Sequence, residues 1–107
     1  MSGFDDRKQG QESKYAHDQE LEFKATARRN KLLGLWAAEL MGMTGEEADA
    51  YAKEVVKADF EEAGHEDVFR KVRGDFDARG IEQSDHQIRH RMEQLLDDAR
   101  KQIHDEA

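Results

Sequence analysis

The chain has 107 residues with a formal net charge of −8, 39% charged and 36% hydrophobic residues, no cysteine and no proline. That length supports one modest core, and the absence of cysteine excludes a disulfide framework, a thiol nucleophile and a thiolate metal site. A proline-free chain rich in Ala, Glu, Lys and Arg suits helices far better than a β-sandwich with its alternating strands and turn residues.

Charge is unevenly spread. Residues 1–17 hold three acids and three bases, and residues 18–41 hold four of each. Residues 42–64 hold seven acids against two bases, and residues 81–107 hold seven against four. Nothing here is net basic, which argues against nucleic acid as a partner because phosphate neutralisation needs a basic surface. No apolar run approaches the ~20 residues of a membrane span, and the opening residues lack the basic and apolar regions of a signal peptide. The expectation is a soluble, cytoplasmic protein without direct membrane insertion.

Residues 1–17 come first as a glycine- and serine-spotted arm with no periodic core face. A helix this short is marginal in water, so a mobile, largely disordered arm is expected. Phe4 and Tyr15 stand eleven residues apart, close to three turns at ~3.6 residues each. Were the arm to coil on a partner, both rings would share one face, as in a ligand for a helix-binding groove. The competing account has the rings incidental or tucked against the body.

The first bundle helix is expected at about residues 18–41. Its second half, KLLGLWAAELMG, is apolar over a wide arc through Leu32, Leu33, Leu35, Trp36 and Leu40, and Gly42 closes it. Toward the N-terminus only Leu21 and Ala25 hold that register, so this half is expected to project from the bundle. Thr44–Glu47 fits a capping box, opening a helix at about 45–63 whose stripe is Ala48, Ala52, Val55, Val56, Phe60 and Ala63. Val68, Phe69, Val72 and Phe76 mark a third helix at about 66–79, ended by Gly80. Ser84–Gln87 is a second capping box, opening a helix at about 85–105 with Ile88, Met92, Leu95, Leu96, Ala99 and Ile103 on one face. The fold class is all-α: a four-helix bundle over residues 18–107, preceded by the arm.

The stretches FDDR (Phe4–Arg7), KYAHD (Lys14–Asp18), ARRNKLLGLWAAELMG (Ala27–Gly42) and ADFEEAGHEDVFRKVR (Ala58–Arg73) resemble the zeta-subunit family, the ATPase inhibitors of the α-proteobacterial F-type ATP synthase. The resemblance spans essentially the whole chain. It implies a four-helix bundle whose arm enters a catalytic α/β interface near the rotor, becomes helical there, and blocks rotation in the direction of ATP hydrolysis. The implied partner is the synthase's catalytic head, with its α, β and rotor subunits, which places the protein peripheral to the inner membrane. Carried onto matching positions, the contacts are Phe4, Asp5, Asp6, Arg7, Lys14 and Tyr15, while Leu21, Phe23, Arg28 and Arg29 flank the cleft. Gly10, Gln11 and Ser13 depart from the alanine, phenylalanine and alanine of the family pattern. Gln11 interrupts the apolar face, and each Ala→Gly change costs a helix ~1 kcal/mol, which implies weaker inhibition than in a relative with the full stripe.

Other features carry less. His86 and His90 have the i, i+4 spacing of a metal pair, but no third ligand is evident, and solvent-facing histidines are the simpler account. ARRNK reads as an exposed helix face paired with Glu22, Asp18 or a partner's carboxylates. Asp59 falls on the stripe of its helix, where it bonds the Trp36 indole, pairs with an arginine, or sits at the stripe's wet edge. Gly34 inside a helix points to close approach of a neighbouring helix or to flexibility. There is no glycine-rich phosphate loop, placeable Ser/His/Asp set or paired carboxylates in an apolar setting. No enzyme, metal or cofactor is expected. The alternative to an ATPase inhibitor is a generic helical interaction module with a partner-binding tail.

Overall fold

A computed structural model of the chain describes residues 3–60 and 66–106, with side chains from residue 18 onward. These residues form four helices, α1 (Gly3–Leu40), α2 (Gly45–Ala58), α3 (Glu66–Arg79) and α4 (Asp85–Glu106), and no strand. The all-α, four-helix architecture is the one expected. The expected mobile arm, residues 1–17, lies outside the residues whose side chains are described.

The punctuation of the chain follows local chemistry. After α1 the Met43 N–H reaches back to the Ala38 carbonyl at 2.9 Å while Gly42 takes φ +79°. After α3 the Ile81 N–H reaches the Phe76 carbonyl at 2.9 Å while Gly80 takes φ +69°. Both are six-to-one closures around a left-handed residue, a conformation glycine adopts without steric cost. The box at Ser84 forms reciprocally: the Ser84 N–H donates to Gln87 Oε1 at 2.8 Å, and the Gln87 N–H to Ser84 Oγ at 3.1 Å. The box expected at Thr44 does not form. Thr44 occupies the N-cap in an extended conformation, but its hydroxyl makes no cap bond, leaving Glu46 and Glu47 in the first turn to complement the helix dipole.

α1 is the spine. It packs chiefly against α2 on one side and α4 on another, and α3 closes the remaining gap. The main core gathers Leu33, Ala37 and Ala38 from α1 with Tyr51 and Val55 from α2, Val68, Phe69, Val72 and Phe76 from α3, and Ile88 and Met92 from α4. Trp36 lies half-buried at its edge, ring to ring with Phe76 at 5.6 Å and 67°. Phe60 departs from its expected place on the buried stripe. α2 ends at Ala58, the chain turns, and the Phe60 ring is 69% exposed.

Gly34 marks a close approach of α1 to α2. A Cβ there would lie 2.6 Å from Ala52 Cα and 3.2 Å from Val55 Cγ2. Close helix approach is therefore the reason for this glycine. Gly34→Ala gains ~1 kcal/mol of helix propensity, yet it pushes α1 off α2 through a backbone atom that cannot swing aside. A net loss of about 1–2 kcal/mol, read as a lower urea midpoint, is expected.

Tyr51 carries a polar tie inside the core, its hydroxyl donating to Asp75 Oδ2 at 2.7 Å. Burial raises its pKa well above the ordinary tyrosine value, and the Asp75 bond and charge raise it further. The folded state thus keeps this proton where the unfolded chain loses it. Stability from Tyr51 is complete below about pH 10, the ordinary tyrosine range, and falls above it by up to ~1.4 kcal/mol per pH unit. Thermal melts from pH 9 to 11 should show this decline, and Tyr51→Phe should remove it.

Candidate partner-binding site

The N-terminal half of α1 was expected to project, and the structure shows where it is held. Leu21 and Ala25 pack on Ala99 and Ile103 of α4, with half-buried Leu32 and Leu96 alongside. This cluster is separate from the main core. Polar contacts reinforce the same seam. Arg100 forks onto Glu22 with a closest approach of 2.6 Å. Arg28 donates to Gln102 Oε1 at 2.8 Å and to Glu106 Oε1 at 2.9 Å. Pairs as exposed as these are worth ~0–1 kcal/mol each, so the four apolar side chains dominate.

The ARRNK stretch divides in a way that helical periodicity alone does not reveal. Lys31 is exposed as expected, and Arg28 is half-buried on α4. Arg29 and Asn30 are buried at 3% and 1% exposure. Arg29 Nε donates to Asn30 Oδ1 at 2.8 Å. Burial lowers the Arg29 pKa from its ordinary value, and the charge of Asp59 opposes that shift. Asp59, half-buried at the end of α2, is thus an electrostatic partner of an arginine. Trp36 instead packs against Phe76 and lies 5.5 Å beneath the Arg91 guanidinium. Glu22, expected to pair with the ARRNK face, pairs with Arg100.

Of the residues assigned to the flank of the cleft, Leu21 and Arg29 are buried within the bundle, Arg28 is half-buried, and Phe23 is 65% exposed. Phe4, Asp5, Asp6, Arg7, Lys14 and Tyr15 lie outside the described side chains. The exposed His86 and His90 rings stack at 6.2 Å, and among the described residues no group of three metal-ligating side chains occurs. Nor is any described helix long and apolar enough to cross a membrane.

One surface escaped the sequence reading. A groove of about 560 Å³ between α1 and α2 is lined by Lys31, Asp49, Ala52, Lys53, Val56, Lys57 and Phe60. Its signal in the sequence is the 53–57 spacing, which puts two lysines on one side of α2, with Phe60 following just past the helix end.

The described residues thus form a four-helix bundle led by one long helix that is anchored laterally on α4. The sequence profile of the family described as ATPase inhibitor subunit zeta matches residues 1–102. The chain belongs to that family, whose members regulate an ATPase. A protein solved by solution NMR is 56% identical, with 81% of this chain and 99% of that chain covered and a TM-score of 0.71. No curated protein matches the chain.

If the α1–α4 seam is its own cooperative unit, it can be loosened alone. Ile103→Ala should cost ~2–4 kcal/mol there. Amide exchange should quicken in residues 18–28 and in the last turns of α4, while amides around Leu33 and Val72 stay protected.

Proposed function

We propose that the chain inhibits ATP hydrolysis by the F-type ATP synthase through residues 1–17. In this reading the arm enters a catalytic α/β interface of the catalytic head near the rotor. It acts there as a helical wedge, with Phe4, Asp5, Asp6, Arg7, Lys14 and Tyr15 as contacts. Ordering the arm on its partner carries an entropic cost at that moment, which burial of the two rings at ~1.5–3 kcal/mol each helps to offset.

The observation that carries the reading is the family match across residues 1–102, which takes in both arm and bundle. The anchoring of α1 gives it a mechanical basis. A wedge that must resist a rotor needs a stop behind it. Leu21 and Ala25 tie the helix to α4 immediately after the arm, so a load on the arm passes into a body too wide to follow it. Exposed Phe23 and half-buried Arg28 would meet the rim of the cleft, while Leu21 and Arg29 hold the helix from within. The protein would sit on the cytoplasmic side of the inner membrane, attached through the synthase.

Removal of residues 1–17 tests this. The shortened chain should keep its helical circular dichroism and lose inhibition of ATP hydrolysis by the catalytic head, whereas the full chain inhibits. Inhibition undiminished by the deletion would refute the arm as the inhibitory element.

A further inference from the structure

The α1–α2 groove takes no part in the arm mechanism, and its chemistry is at odds with the rest of the chain. Residues 42–64 contain only two bases among seven acids, Lys53 and Lys57, and both line this groove. Lys31 faces them from α1. Elsewhere the described cations are largely paired, as with Lys24 on Glu20, Lys71 on Asp75 and Arg89 on Glu66. Lys31, Lys53 and Lys57 form no ion pair among the described residues, although Asp49 stands one turn before Lys53. Between them the floor is apolar, made by Ala52 and Val56 and ended by the 69% exposed ring of Phe60. Phe23, itself 65% exposed, stands eleven residues before Gly34. At 3.6 residues per turn that is within about 20° of the same side of α1. It therefore extends the α2-facing side of α1 past the point where α2 stops.

We propose that this groove docks an acidic amphipathic helix of the protein that the arm inhibits, giving the inhibitor a second point of attachment. The proposal rests on the reading above for the partner's identity. A channel between two helices accepts the side-chain ridge of a third, with apolar residues on Ala52, Val56 and Phe60 and carboxylates on the three lysines. An anionic membrane surface fits less well. A flat headgroup layer cannot follow a channel between two helices, and polybasic attraction amounts to little more than ~1 kcal/mol per cation. Docking the bundle would raise the effective concentration of the arm at its cleft. It would also make association salt-dependent in a protein whose net charge is −8.

The test uses full-length chains, fluorescently labelled, binding to purified catalytic head. Phe4→Ser with Tyr15→Ser disables the arm; this variant should stop inhibiting yet still bind, and should compete with the unmodified chain. Adding Lys53→Glu and Lys57→Glu in that background should weaken binding at least tenfold and remove its salt dependence, with Lys→Gln at both positions intermediate. These lysines are exposed, so helical circular dichroism should not change. An arm-disabled chain that no longer binds, or lysine reversal that leaves its affinity intact, overturns the proposal. So does lysine reversal that abolishes only a self-dimer in sedimentation equilibrium or only binding to phosphatidylglycerol vesicles. An arm-disabled chain that inhibits fully refutes the arm reading instead, and the lysine comparison still decides the groove.

Discussion

The bundle is organised around the contact between Gly34 and Ala52. Only a missing side chain lets the α1 and α2 backbones come this close, with 2.6 Å between a notional Cβ and the opposing Cα. That approach brings Val55 to full burial against Leu33 and its neighbours. It also aligns α2 so that its other side, Lys53, Val56 and Lys57, faces outward next to Lys31. The core and the groove are thus two sides of one seam. A wider separation would open the first and flatten the second.

Along α1 the apolar surface is interrupted. The main core and the Leu21 cluster are separated by Arg29 and Asn30, both buried and bonded to each other. Asn30 Nδ2 is buried without a hydrogen-bond partner among the described residues, a position that costs ~1–3 kcal/mol relative to a satisfied one. Buried polar groups of this kind are poor sources of stability, and their known use is to set register. Here Arg29 responds to the charge of Asp59 at the end of α2, so the polar belt relates α1 to the point where α2 terminates. Beyond the belt, the described apolar contacts of α1 are with α4. A helix held by two independent clusters can keep its anchor while its far end responds to a partner.

Electrostatics divides the surface similarly. Most described cations bridge helices or staple turns: Arg73 reaches the Gln83 carbonyl at 2.6 Å and Asp85 at 3.1 Å, and Arg89 links α4 to Glu66. Arg89 also lays its guanidinium over the Phe69 ring at 3.9 Å, a cation–π contact at the edge of the core. The acids, in excess, occupy the outer faces. Against that background, cations without an ion pair among the described residues, set around an apolar groove, are more informative than the net charge.

The sequence by itself determined the four helices, the glycine stops at 42 and 80, the box at Ser84, most of the core and the family resemblance. All of these depend on relations within a few residues or on local pattern. The reading missed where burial depended on an element distant in the chain. Arg29 is interior because α2 ends beside it and α4 crosses it, facts absent from the spacing of α1. Phe60 continues an apolar period but falls beyond the end of the helix that would have turned it inward. The cationic groove needed Lys31 brought beside Lys53 and Lys57, residues more than twenty positions apart. Periodicity specifies which side of a helix is apolar. Only tertiary packing decides how far along that side a neighbouring helix extends, and therefore which side chains it covers and which it leaves to meet a partner.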